Sequence, residues 1–198
     1  MGARKYGRPR CEGCGLWPRL CMCSEIPRVE TQTRWVLVQR HVERFKPTNT
    51  GKLVLRAFSP SERVFFGGRD DRIDPSIFTG HGPAYVLYPS DDAIVAAPGS
   101  LDGPPRTVVV LDATWHQGSR MRRRVPGVAD LPAVTLPPGP PSIWPARTQH
   151  DPRGLSTFEA CARLLACIEG PGNAEPLERF FAAYCERLRA MRDGRERP

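Results

Sequence analysis

Residues 107–113, TVVVLDA, carry the strongest constraint in the chain: an unbroken apolar run from Val108 to Leu111 ends directly in Asp112. Such a run fits a strand covered on both faces, the situation of a parallel sheet between two helix layers. Shorter strand patterns recur at WVLVQRH (35–41), RVFF (63–66, ended by Gly67-Gly68), AYVLYP (84–89, stopped by Pro89) and AVTL (133–136). Helical patterns lie between and after them, at 50–58, 115–123, 156–168 and 174–191. In the last, Leu177, Phe180, Phe181, Tyr184, Leu188 and Met191 share one face, and Asn173 is a fair N-cap. Strands alternating with helices predict an α/β fold, a mostly parallel sheet with helices on both faces.

Ahead of this pattern stand Cys11, Cys14, Cys21 and Cys23, spaced C-x2-C-x6-C-x-C. Four thiolates that close in sequence suit tetrahedral Zn2+ in a structural, closed site. An iron–sulfur cluster uses the same ligand count, and free or disulfide-bonded thiols are the bland reading. Cys161, Cys167 and Cys185 lie far away in helical patterns and read as small buried apolar residues. The expected organisation is a basic arm and four-cysteine knuckle over 1–30, an α/β domain over 31–193, and a disordered tail over 194–198. No apolar stretch of ~18 residues exists to span a membrane. No apolar segment follows the basic start MGARKYGRPR either, so the expectation is cytoplasmic.

The formal charge is +8, which favours a polyanionic partner. Among the 29 basic residues only Lys5, Lys46 and Lys52 are lysines, a skew that GC-rich codon usage also produces. Location therefore matters more than the total. Arg120, Arg122, Arg123 and Arg124 follow the central strand directly, and Arg4, Arg8 and Arg10 precede the cysteines. An RNA lying across both patches would be held through its phosphates, without being read in sequence.

In open α/β sheets, ligands bind beyond the carboxyl ends of strands. TNTG (48–51), LYPSDD (87–92) and DATW (112–115) occupy such ends or helix starts. Neither a G-x-G-x-x-G nor a G-x4-G-K-[ST] stretch is present. Asp112 is a candidate base or orienting carboxylate, or simply the cap of the next helix. Trp115 is a pocket wall or a core residue. Ser156 and Glu159 match a helix capping box, which explains that pair structurally, while a helix start at a pocket also receives anions.

Taken in order, Cys11-x2-Cys14…Cys21-x-Cys23, TNTGKL (48–53), YVLYP (85–89), VVLDATW (109–115) and LSTFEA (155–160) resemble the DTW-domain family, named for the D-x-T-W that is Asp112, Thr114 and Trp115 here. The resemblance spans roughly residues 11–168. It implies a tRNA-uridine aminocarboxypropyltransferase in the SPOUT-like class with a C-terminal trefoil knot. Such an enzyme moves the 3-amino-3-carboxypropyl group of S-adenosylmethionine to uridine N3, giving acp3U and 5′-methylthioadenosine.

Carried over by position, the resemblance makes Asp112 and Trp115 the catalytic pair, both also touching the donor. Thr50 would reach its ribose. Leu87 and Pro89 would line its adenine, with Leu136, Leu155 and Ala160 opposite, and Ser156 and Thr157 would hold its carboxylate. Arg120, Arg122, Arg123, Arg124 and Arg147 would meet tRNA. The cysteines would hold structural zinc, and a monomer is expected. Two departures stand out: Ala113 where the family usually has Gly, and Gly118 where it more often has Ala. Neither removes a polar group. An RNA methyltransferase of the same class and a non-catalytic, zinc-dependent RNA-binding adaptor are the competing readings.

Overall fold

The structure, a computed structural model, describes residues 9–146 and 154–194. Arg4, Arg8, Arg147 and the tail beyond Gly194 lie outside the described residues. The strands are β1 Val29–Arg40, β2 Phe58–Phe66, β3 Ala84–Leu87, β4 Ile94–Val95, β5 Arg106–Asp112 and β6 Ala133–Thr135. The helices are α1 Gly51–Ala57, α2 Ser76–Thr79, α3 Trp115–Arg124, α4 Thr157–Glu169 and α5 Pro171–Arg192. All strand pairs are parallel, in the order β2-β1-β5-β3-β6-β4.

Side-chain alternation assigns each strand residue to one of two helix layers. Trp35, Leu37, Val108 and Val110 face α1, α4 and α5. Val36, Val38 and Val109 face the other way, onto Phe78 of α2 and Met121 of α3. Each fully buried Val or Leu contributes ~1.5–3 kcal/mol, so the two-sided apolar run holds β5 in register. That register settles where the next residue points. Asp112 shares the parity of Val108 and Val110 and therefore faces α1 and α4.

The structure adds elements that are too short to leave a periodic signal, β4 and α2. It also corrects three boundaries: β1 begins at Val29 rather than at 35, and β2 begins at Phe58, the residue expected to end the helix over 50–58, rather than at 63. The third is that of α5, which begins at Pro171 with Gly170 as N-cap at φ 93°, so Asn173 lies inside the helix rather than capping it. Proline is favoured in a first helical turn because the N–H it lacks has no intrahelical partner there. The six residues picked for the buried face of this helix are all buried, as are Cys161 and Cys185, while Cys167 is half-buried.

The cysteine segment docks on the same core as α1, α4 and α5. Leu16, Leu20 and Met22 are buried in it, and the Tyr184 hydroxyl of α5 donates to the Cys14 carbonyl. Gly15 turns the chain at φ 79°, where an added Cβ would sit 2.1 Å from the Pro47 carbonyl oxygen. Among the described residues no helix is long and apolar enough to cross a membrane.

Candidate active site

Asp112 is 2% exposed at the carboxyl end of β5. Its Oδ2 accepts from Gln39 Nε2 at 2.6 Å and Asn49 Nδ2 at 2.8 Å, and its Oδ1 accepts from Thr157 Oγ1 at 2.7 Å. Gln39 is its lateral neighbour on β1, Asn49 belongs to TNTG, and Thr157 to LSTFEA. Segments about a hundred residues apart in the chain thus meet at one carboxylate. A carboxylate offers about four acceptor positions, so three protein donors leave roughly one toward the adjoining cavity.

The glycine of TNTG is required by this approach. A Cβ on Gly51 would lie 2.5 Å from Asp112 Oδ2. The preceding Thr50 has a structural task as well: its Oγ1 accepts from the Phe158 N–H at 3.3 Å, in the first turn of α4. Ser156 Oγ accepts from the Glu159 N–H at 3.3 Å, and the Glu159 carboxylate accepts from the Ser156 N–H at 2.9 Å, which realises the capping box. Glu159 does more than cap. It also accepts from Ser142 Oγ at 2.6 Å and the Ile143 N–H at 2.8 Å, tying the proline-rich stretch after β6 to α4. At α3 the cap is Thr114, whose N–H donates to Gln117 Oε1 at 3.2 Å. Asp112 is therefore not a helix cap.

Thr50, Asp112, Ser156 and Thr157 line one cavity of about 260 Å3, together with Glu43, Lys46, Asn49 and Trp144. That is near the lower end of small-ligand sites, about 300 Å3 upward. Glu43 is buried and pairs with Lys46 Nζ at 2.6 Å, so the lining holds two carboxylates against one ammonium. It favours a ligand with excess positive charge.

The aromatic wall is Trp144, 7% exposed and stacked on Tyr184 at 5.9 Å with an interplanar angle of 8°. Trp115 is 43% exposed at the start of α3 and does not line the cavity, so neither the pocket-wall nor the core reading describes it. Gln39, Glu43 and Trp144 escaped sequence reading. Gln39 looks like an ordinary strand-end polar residue, and Trp144 sits in a stretch with no periodicity to assign its direction.

Leu87 ends β3 and Leu136 follows β6, both half-buried at the same sheet edge as Asp112; Pro89 is exposed just beyond β3. Leu155 and Ala160, half-buried, flank the start of α4. None of these five is in the lining of the cavity. On α3, Arg120, Arg123 and Arg124 are exposed. Arg122 differs, since its guanidinium donates to the carbonyls of Val128 and Leu131 and so anchors the loop before β6.

The four cysteine sulfurs lie within 4.8 Å of one another, with Cys11–Cys23 at 3.5 Å, Cys11–Cys21 at 3.4 Å and Cys14–Cys21 at 3.9 Å. A tetrahedral Zn–S site with bonds of ~2.3 Å has S–S edges of roughly 3.8 Å, so the set fits a zinc-sized ion. Burial works against ionising Cys11, but the Cys14 N–H, the Cys21 and Cys23 thiols and the Gly13 N–H outweigh it and bring its pKa to about 6. Burial pushes the Cys14 and Cys23 thiols up. Burial also pushes Lys52 down, against the pull of Cys14 and Cys11, which places the TNTGKL lysine beside the cysteine cluster.

A family model described as the DTW domain matches residues 8–189. The chain belongs to the DTW-domain family. The match covers the cysteine knuckle and the whole sheet, and the residues that name the domain run from the end of β5 (Asp112) into the start of α3 (Thr114, Trp115). Among curated proteins, this DTW domain is similar to tRNA-uridine aminocarboxypropyltransferase 2 of Drosophila melanogaster, 25% identical over 187 residues, which cover 90% of this chain and 74% of the fly protein. It is also similar to the proteins of that name in Macaca fascicularis and Mus musculus, 28% and 26% identical over 171 and 173 residues, covering 82% of this chain and 57% of each relative. The DTW domain here thus spans little more than half the length of the two mammalian relatives. No solved structure matches it.

Proposed function

We propose that this chain is a tRNA-uridine aminocarboxypropyltransferase that forms acp3U. The observation that carries the reading is the convergence of TNTG, LDATW and LSTFEA on the Asp112 carboxylate at the rim of one cavity. The family match and the names of the relatives supply the reaction.

When bound, S-adenosylmethionine supplies the 3-amino-3-carboxypropyl group on a sulfonium leaving group, with 5′-methylthioadenosine as by-product. It carries two positive charges and one negative. The lining of Asp112, Glu43 and Lys46 matches that balance. Asp112 offers its remaining acceptor position to the cavity, for the donor's ammonium or for the uridine N3–H. The Thr157 N–H has no acceptor among the described residues and stands at the helix start that suits a carboxylate. Trp144 excludes water from one side. Leu87, Pro89, Leu136, Leu155 and Ala160 form an apolar flank along the sheet edge for the adenine, with Thr50 toward the ribose. Trp115, exposed at the start of α3, is assigned to the incoming uridine. Holding the nucleophile in line with the correct carbon is chiefly a matter of orientation, which a rigid, hydrogen-bonded carboxylate serves.

The remaining assignments belong to the same proposal. Cys11, Cys14, Cys21 and Cys23 hold structural Zn2+ over the segment 1–30, and 31–193 is the catalytic domain. The chain acts as a cytoplasmic monomer, and Arg120, Arg123, Arg124 and Arg147 meet tRNA. The SPOUT-like class with its C-terminal knot is supported by the all-parallel sheet and by the return of the chain after β6 to seat Thr157 on the end of β5.

The test is nucleoside mass spectrometry after incubating the purified chain with unmodified tRNA and S-adenosylmethionine. A uridine gaining an aminocarboxypropyl mass, with methylthioadenosine released, is the expected result. A gain of one methyl with adenosylhomocysteine would make it a methyltransferase. Firm tRNA binding without any product would make it an adaptor.

A further inference from the structure

The carboxyl edge of the sheet continues past the cavity in the direction away from Leu87 and Leu136. On β1 the lateral neighbour of Asp112 is Gln39, and on the edge strand β2 the neighbour of Gln39 is Phe65. Two strand spacings separate Phe65 from Asp112, roughly 10 Å. The three residues face the same side of the sheet. They are also linked by contacts: Arg63 NH1 donates to Gln39 Oε1 at 3.5 Å, and Gln39 donates to Asp112.

An aromatic and cationic cluster stands at this position. Phe45 is 68% exposed, the most open of the exposed large apolar side chains among the described residues. The Arg44 guanidinium lies 4.6 Å from the Phe45 ring centroid and 5.5 Å from that of Phe65, and Arg63 lies 4.6 Å from Phe65. His41 sits 6.1 Å from both rings and is held by Asp71, its Nδ1 3.2 Å from each carboxylate oxygen. Nearby acids are already engaged: Glu43 with Lys46, Asp71 with His41, Glu62 with Arg34. Among the described residues neither Arg44 nor Arg63 makes a direct ion pair; Asp71, already bound to His41, is the carboxylate whose charge reaches Arg44. A solvated arginine face needs no exposed phenylalanine; arginines and aromatic rings also mark protein interfaces, but two guanidinium groups without a direct ion pair favour a polyanion. Open rings interleaved with arginines are what a single-stranded nucleic acid uses, with bases on the rings and phosphates on the cations.

We propose that Phe45 and Phe65, with Arg44 and Arg63, form a stacking platform for a nucleotide flanking the uridine to be modified. The cavity is then served from two sides, the donor along the β3 and β6 end and the RNA along the β1 and β2 end. A flipped or looped-out uridine at Asp112 places its neighbour, or the nucleotide beyond, over the rings. The proposal rests on the tRNA reading above.

The experiment compares tRNA binding and modification kinetics of the full chain with those of Phe45→Ala, Phe45→Trp and Arg44→Ala, with binding of a short oligouridylate as a second probe. Phe45 is so exposed that its removal leaves the fold intact. Phe45→Ala is expected to weaken both RNA ligands roughly five-fold or more and to raise KM for tRNA, with kcat at saturating tRNA retained. Phe45→Trp restores binding, which a merely structural role would not. Arg44→Ala lowers affinity and flattens the salt dependence by about 0.7 in log–log slope. Unchanged binding and KM in Phe45→Ala and Arg44→Ala, while wild type binds and modifies tRNA, would overturn the platform and point to a protein partner for the patch. A wild-type chain that neither binds nor modifies tRNA would instead sink the underlying enzyme assignment.

Discussion

Replacing Asp112 separates its charge from its shape. In Asp112→Asn the amide oxygen can take the place of Oδ2 and keep both the Gln39 and Asn49 donors. The new NH2 then faces Thr157 Oγ1, and a hydroxyl can turn from donor to acceptor. Three bonds to an anion become bonds between neutral groups, so the expected cost in folding stability is about 1–2 kcal/mol. Asp112→Ala behaves differently. Asn49 and Thr157 border the cavity and can turn to water, but Gln39 is 1% exposed and its Nε2 keeps only the bond to Asn49 Oδ1. One buried donor is orphaned, which adds about 1–3 kcal/mol. Urea unfolding should therefore rank wild type above Asn above Ala.

Activity should fall in a distinct way. If Asp112 receives the N3 proton, Asp112→Asn lowers kcat by roughly 10²–10⁴, with KM for S-adenosylmethionine nearly unchanged. If it only orients the donor's ammonium, KM rises and kcat is largely kept. Nucleoside mass spectrometry on single-turnover and steady-state reactions distinguishes the two. An Asp112→Asn enzyme with wild-type kcat and KM would refute any role for the charge. An Ala variant as stable as wild type would refute the hub.

Gly51→Ala puts a methyl carbon 2.5 Å from Asp112 Oδ2 and is expected to abolish modification while costing ~1–3 kcal/mol in a melting assay; wild-type activity would show that the hub yields easily. With zinc on the four cysteines as proposed, its removal by a chelator should disturb the cavity as well as the knuckle, because Tyr184 donates to the Cys14 carbonyl and stacks on Trp144; a lowered Tm together with weaker donor binding by calorimetry is expected, and unchanged values would disconnect the two. Exchanging Arg120, Arg123 and Arg124 together for Ala should lower tRNA affinity and the salt slope without changing Tm, whereas Arg122→Ala should lower Tm by freeing the Val128 and Leu131 carbonyls; filter binding and thermal denaturation separate the pair. Glu159→Ala should loosen the Ser142–Ile143 stretch from α4, read as faster amide exchange there and as a stability loss of ~2–4 kcal/mol.

Much of this protein is legible in its sequence because the signals are local. Five of the six strands show as apolar runs, and α1, α3, α4 and α5 show as periodic segments, since strand and helix repeats are properties of neighbouring residues. The Ser156–Glu159 box, the cysteine cluster and the polar strand ends are local for the same reason. What only the tertiary structure decided is which local features meet. The register of β1 against β5 puts Gln39 beside Asp112, and β2 against β1 puts Phe65 beside Gln39, although dozens of residues separate them along the chain. The choice between Trp115 and Trp144 as the aromatic wall, and between Arg122 as anchor and its neighbours as free cations, was set by packing against α5 and the loop before β6. Pairing across a sheet and burial against a distant helix depend on where the whole chain closes, and no window of sequence contains that information.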